Sequence, residues 1–519
     1  MGANYALTDW LKLDYRVGID QYTDNRFILT SPRTLIGAGA NGSISERVLQ
    51  YQEINSNLLL TAERQLTDDI GAVFSVGNQI TTINTRDFTS TGTNFVIADF
   101  ISINNLSQYN TRSFPTSRSI IGVFADARFD YKQTLFLNLT GRNDWSSTLP
   151  RANRSFFYPS ISTSYIFTET LKLNSQRVLS YGKVRASFAE VGKDANPFLI
   201  GNYYSTLAPF RGVVGVVRNN TIGSEDLRPE RTRGLEFGFD VGLFNNRLKL
   251  DVNYAIQTSI DQIVPIPVSR ATGFTNFVIN AGSIRNNIWE VVADATILQK
   301  GSFTWNSVLN WSRLRGRVLS LPDGLEEITF QPATPWVKQR IVPGGRPGDF
   351  FGWPLSRVDA PGSDADGRLI IINGYPDVNN GRPLAEDSFI GNAFPDWEGG
   401  WTNVMRYKNL EFSFLFTFRK GGYVFDINRR LRYGQAGGEA PTGAETNLRN
   451  RLVVFDGVVN SGTAENPVWV ENTQPVPIGV NELYGQAFRY RLASEFNGFQ
   501  EASCCASKML ALHTTCQPP

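Results

Sequence analysis

Apolar and polar residues alternate one by one along nearly the whole chain, and this constrains the fold more than any other feature. In Arg247-Leu248-Lys249-Leu250-Asp251-Val252-Asn253-Tyr254, one face carries Leu248, Leu250, Val252 and Tyr254, and the other carries Lys249, Asp251 and Asn253. Leu235-Glu236-Phe237-Gly238-Phe239-Asp240-Val241 repeats the pattern, and Glu411-Phe412-Ser413-Phe414-Leu415-Phe416-Thr417-Phe418 puts its phenylalanines on one side. Leu11, Leu13, Tyr15 and Val17 alternate with Lys12, Asp14 and Arg16, so residues 5–18 read as a strand. Further strands are expected at 57–65, 71–79, 119–129, 134–141, 161–167, 183–190, 288–298 and 303–312. Successive strand side chains point to opposite faces, so a period of two marks half-buried strands. No helical heptad or solenoid repeat competes, and the fold class is all-β and antiparallel.

Short turns join several strands: Phe244-Asn245-Asn246-Arg247, Lys300-Gly301-Ser302 and Tyr407-Lys408-Asn409. They alternate with long stretches expected to be irregular, at 86–117, 192–228, 258–287 and 318–400. Short turns on one side and long loops on the other is the pattern of an outer-membrane β-barrel. A soluble sandwich also alternates. Charges placed in mid-strand over many strands shift the balance toward a barrel. So do aromatics at strand ends (Trp10, Tyr165, Trp311, Tyr423), which suit an interface girdle. The 35 Phe, 18 Tyr, 10 Trp and 46 Gly fit strands and turns. No segment approaches the ~20 consecutive apolar residues of a membrane-crossing helix. Barrel strands hide their hydrophobicity in alternation, so this leaves a membrane barrel open.

Several chemistries are disfavoured. Lys plus Arg total 50 and Asp plus Glu 48, a balance that gives no reason to invoke nucleic acid. Cys504, Cys505, Cys516 and the single histidine, His513, all fall at the C-terminal end, leaving residues 1–503 without either type. That argues against zinc, Cys or His nucleophiles and a disulfide framework, and no cofactor is expected. Adjacent cysteines such as Cys504 and Cys505 also have poor geometry for one zinc. Arg142-Asn143-Asp144-Trp145-Ser146-Ser147 packs Arg, Asp and Ser together, but no nearby histidine could activate a serine, so a turn or barrel-rim role is expected. Ser363-Asp364-Ala365-Asp366-Gly367 begins like a calcium loop. The late carboxylate is missing because position 375 is Tyr, and an Asx turn is expected instead. Glu326-Glu327 reads as a solvated loop.

At 129–165 the chain resembles the SusC/RagA family of TonB-linked outer-membrane proteins. The likeness rests on Phe129-Asp130-Tyr131-Lys132, then Leu135 to Arg142-Asn143-Asp144-Trp145-Ser146-Ser147, then Phe157-Tyr158-Pro159-Ser160. Further blocks match in the same order: Lys183 to Phe188 with Val191-Gly192-Lys193; Leu227-Arg228-Pro229-Glu230-Arg231-Thr232; Asn280-Ala281-Gly282-Ser283-Ile284-Arg285-Asn286 with Trp289-Glu290; Pro395-Asp396-Trp397-Glu398-Gly399-Gly400; and Arg419 to Gly422. The resemblance covers roughly residues 1–500. It implies a barrel of about 22 strands plugged by an N-terminal domain. It also implies import of glycans, peptides or other oligomers, a SusD-like surface lipoprotein as lid, and energy from TonB–ExbB–ExbD through the plug. The quoted positions are expected to be structural, with no catalytic residue.

Against that pattern, this sequence shows no signal peptide, plug or TonB box before its first strand. The expectation is one domain, residues 1–503, forming part of a barrel with roughly 14–17 strands. Residues 504–519 depart from the family. Codons compatible with them can be written so that, read two bases on, they encode leucine, arginine, valine, lysine, asparagine, valine and serine, the strand the family shows there. A frameshift near Ser503 is therefore expected. The leading function is outer-membrane nutrient import, with the loops at 192–228 and 318–400 as candidates for substrate or lid contact. A passive pore or adhesin is the alternative, and a secreted all-β glycan-active enzyme with paired carboxylates is a more distant one.

Overall fold

The computed structural model describes residues 1–32, 41–98, 100–173, 178–207, 211–322, 324–330, 337–379, 387–426, 451–463, 465–478 and 499–514. Among them, fifteen long strands neighbour one another in chain order, and the short Thr221–Ile222 pairs parallel to Asn276–Phe277 to complete a sixteen-stranded sheet. The long strands are β1 (Gly2–Thr8), β2 (Leu11–Thr30), β3 (Ser43–Thr67), β4 (Ile70–Phe95), β5 (Leu106–Tyr131), β6 (Leu135–Ser146), β7 (Ser155–Tyr165) and β8 (Leu179–Lys193). They continue as β9 (Glu230–Leu243), β10 (Leu248–Pro267), β11 (Asn276–Lys300), β12 (Phe303–Ser320), β13 (Pro395–Tyr407), β14 (Leu410–Gly421) and β15 (Cys504–Thr514).

The chain forms two compact units. The first comprises Met1–Ser175, Tyr181–Gly238 and Gln257–Ser283. Its turns at 9–10, 68–69 and 132–134 are short, whereas its other connections run through 31–42, 96–105, 147–154, 194–229 and 268–275. The second comprises Gln176–Ser180, Phe239–Ile256 and Ile284–Pro519. There the turns at 244–247, 301–302 and 408–409 are short, and the connections 321–394 and 422–503 are long. Phe244, Asn245 and Asn246 all take positive φ (54°, 57° and 61°), the backbone hand that tight hairpins need and that asparagine tolerates best.

Two stretches expected to be loops are mostly strand. Residues 86–95 and 106–117 extend β4 and β5, and 258–267 and 276–287 belong to β10 and β11. These segments carry polar residues on both faces, so alternation does not reveal them. Cross-strand hydroxyl pairs hold the first hairpin instead: Thr82 with Ser119 at 3.1 Å, Thr85 with Thr116 at 2.5 Å and Ser90 with Thr111 at 3.3 Å. Each such pair contributes about 0.2–1 kcal/mol. Residues 5–18 also divide, with Asp9 and Trp10 forming the turn between β1 and β2. Arg64 lies over the Trp10 ring at 4.6 Å.

The strands are inside out relative to a soluble sandwich. Ile121, Val123, Leu139, Trp145, Phe157 (58% exposed), Ile161, Phe188, Leu235 and Phe237 are all exposed, while Asp144 and Ser146 are buried. Placing this much apolar strand surface in water is unfavourable by roughly 25 cal/mol per Å², so the exposed face is the one that meets lipid. In the second unit the same face is aromatic. Trp401 stacks on Phe416 with centroids 6.2 Å apart and meets Phe414 edge-on at 5.8 Å. Two indole groups on that face are satisfied locally. Trp305 Nε1 donates to Asn403 Oδ1 at 2.9 Å, and Trp401 Nε1 donates to Ser307 Oγ at 2.8 Å.

Candidate functional site

In the first unit, the motif residues converge at the loop-bearing ends of β5–β8. Arg142 and Asp144 share parity on β6, and the register sets Arg142 opposite Tyr158. Arg142 Nε donates to Asp144 Oδ1 at 2.7 Å, Tyr158 Oη donates to Asp144 Oδ2 at 2.5 Å, and Arg142 Nη1 reaches Gln79 Oε1 at 3.1 Å. Gly122 makes the space. A Cβ there would sit 2.1 Å from Arg142 Nη2 and 2.4 Å from Asp144 Oδ1. Pro159 lies opposite Gly141, and Ser160 pairs with Thr140 on one side and Ala189 on the other.

At the strand end a second cluster gathers around Asp194. Its carboxylate accepts from Arg118 Nε at 2.9 Å, from Ser146 Oγ at 2.5 Å and from Thr148 Oγ1 at 3.0 Å, and it also pairs with Arg118 Nη2. Ser147 extends the β5–β6 ladder, with its N–H donating to Ser119 O and its Oγ accepting from Ser119 N, both at 2.9 Å. Beneath lies an apolar cluster of Leu149, Phe156, Ala195, Leu227 and Val278. The loop 194–229 is thereby seated at both ends.

Its far end is anchored by the other motif blocks. Asn280 Oδ1 accepts from Arg228 N, and its Nδ2 donates to Arg228 O and to Asp261 O, all at 2.8 Å. The side-chain amide thus substitutes for a backbone peptide beside Asp261 and Gly282, which take φ of +56° and +65°. Pro229 precedes Glu230, whose Oε1 accepts from Ile263 N at 2.9 Å and whose Oε2 accepts from Lys193 Nζ at 3.1 Å. Between these anchors Tyr204, Leu207, Val213, Val214, Val216 and Val217 are exposed.

The motif positions of the second unit occupy separate places. Asn286 on β11 packs its Oδ1 against Gly316, and Glu290 is exposed on the same strand. Pro395 opens β13 opposite Gly421, and Gly400 lies between Asn310 and Thr417. The remaining sequence motifs are also engaged locally. Asp366 Oδ1 accepts from Ala360 N, six residues earlier, at 3.0 Å, so it closes the loop from its far side and not as the expected Asx turn. Glu327 pairs with Arg340 at 3.5 Å. Among the described residues no group of three or more His, Cys, Asp or Glu side chains could hold a metal ion. Cys516 lies outside the described residues. Residues 504–514 form β15, paired to β14 with a register shift between Leu415 and Phe416. Asp194 and Arg118, central to the rim cluster, carried no sequence signal. They lie far apart in the chain and belong to no local pattern.

A transmembrane β-barrel wall with a polar face and anchored long loops is the class these features define. The model of TonB dependent receptor-like β-barrels matches residues 2–325, more than half of the chain. This chain belongs to that family and is an outer-membrane protein. It is 27% identical over 490 residues to TonB-dependent receptor P26 of Formosa agariphila, covering 86% of this chain and 46% of that protein. It is 21% identical to TonB-dependent receptor SusC of Bacteroides thetaiotaomicron, covering 60% of this chain and 32% of that protein. Among solved structures, the RagAB peptide importer in its closed-closed state matches 98% of this chain and 54% of its own, with a TM-score of 0.74 at 16% identity. The chain thus spans between about a third and a half of the length of these curated relatives.

Proposed function

We propose that the chain forms the wall of an outer-membrane importer of oligomeric nutrients, glycans or peptides. In this reading it works with a SusD-like surface lipoprotein and draws energy from TonB–ExbB–ExbD through a plug domain. The carrying observation is the seated loop 194–229. Its ends are fixed by Asp194 and Glu230, and its middle exposes six large apolar side chains. An exposed apolar patch on an anchored loop fits contact with a partner protein or ligand. The motif residues Arg142, Asp144, Ser146, Tyr158, Glu230 and Asn280 act as struts, and transport proceeds without a catalytic step, by hydrogen bonds and aromatic contacts. Whole cells carrying the complete protein should take up labelled oligomers, and deletion of its gene should abolish that uptake. Loss of uptake on TonB deletion separates active import from a passive pore or adhesin. Hydrolysis of the oligomer by purified protein would favour an enzyme instead.

A further inference from the structure

Two long connections of the second unit fold together. Residues 353–379 belong to the β12–β13 connection and 451–478 to the β14–β15 connection. Each is hydrogen-bonded within itself, as where Ile370 N donates to Ser356 O and Asn472 N donates to Gly457 O, and the two also share a core. Ile371 and Val378 pack with Phe455 and Val476, all at most 4% exposed. Val458 N donates to Leu369 O at 2.8 Å beside a parallel bridge between Ile370 and Val458. Tyr375 Oη donates to Pro477 O at 3.1 Å. Arg368 Nη2 reaches Asp456 Oδ1 at 2.8 Å and Glu471 Oε2 at 2.9 Å, and Nη1 also binds Glu471. Two glycines permit the approach. A Cβ on Gly374 would lie 2.2 Å from Val476 Cγ1, and one on Gly457 would lie 2.7 Å from Leu369 O.

We infer that residues 353–379, with 451–463 and 465–478, move as one body. Neither half can leave without exposing the apolar core it shares with the other, so displacement of one exposes both. The exposed ion pairs add register to this unit, because a planar guanidinium fits a carboxylate side by side.

Hydrogen exchange on the full-length protein purified from outer membranes tests it. Val378→Ala lies in the first connection, and the readout is the second. The expected result is at least tenfold faster exchange across 451–478, including the Val458 amide, together with faster exchange across 353–379. Faster exchange in 353–379 alone, or in neither, overturns the inference. Where Val378→Ala fails to assemble, Tyr375→Phe removes one inter-loop bond and reads the same segments, with smaller acceleration expected in both. Acceleration in one alone overturns the inference equally.

Discussion

Asp194, with only 2% of its side chain exposed, is paired with the guanidinium of Arg118 across 76 positions of sequence. The same carboxylate also receives Ser146 and Thr148, so one buried charge holds the end of β6, the loop after it and the start of the loop 194–229. A buried carboxylate is tolerable because its oxygens are so fully satisfied.

Asp194→Ala should leave a half-buried arginine without its carboxylate and cost about 3 kcal/mol. The check is the denaturant midpoint of protein in detergent micelles, with limited proteolysis of 194–229 as a local readout. An unchanged midpoint and unchanged cleavage would count against the rim role.

Gly122→Ala should push Arg142 off Asp144, costing about 1–3 kcal/mol through overpacking. In Arg142→Ala the same glycine change should cost less, because the contact with Arg142 is gone and only that with Asp144 Oδ1 remains. The pair tests a coupling that additive effects would exclude.

Phe416 lies on the aromatic face and Thr417 on the opposite one. Phe416→Arg should destabilise by about 2–4 kcal/mol, whereas Thr417→Arg should be far better tolerated. Folding yield into lipid vesicles measures both, and equal losses would reverse the assigned faces.

The hydrogen bond from Arg368 holds the Glu471 carboxyl below its ordinary value, and Glu471 in turn raises the Arg368 pKa. A depressed carboxyl contributes stability that is present above its unfolded pKa and lost as pH falls through the folded one. Protection of 451–478 should therefore persist at about pH 6 and fall as pH drops below about 4.3. Glu471→Gln should flatten that dependence, and high salt should weaken it.

We propose that residues 504–519 are read in a shifted frame. The coding DNA, read two bases on from Ser503, should encode the leucine-arginine-valine-lysine-asparagine-valine-serine strand. Any other product rejects the shift.

The apolar face of each wall strand was legible in the sequence wherever one side meets lipid and the other does not, as in β9 and β14. It was not legible in the upper halves of β4, β5, β10 and β11. Neither face there alternates cleanly, because polar and apolar residues fall on both, and pairing in β4 and β5 depends on cross-strand partners such as Thr85 and Thr116. The motif at 142–147 was legible as a block of polar residues, but its place in β6 and its partners were not. Gln79, Asp194 and Arg118 reach it only through the register of strands far apart in sequence.

By itself, therefore, the sequence determined the strand period, the short turns and the lipid-facing side, because each follows from local spacing and backbone preference. Only the tertiary structure decided which polar groups gather around Asp194, how Asn280 stands in for a peptide beside Asp261, and that residues 353–379 and 451–478 share one core. Those contacts join residues across long separations, and no local periodicity encodes them.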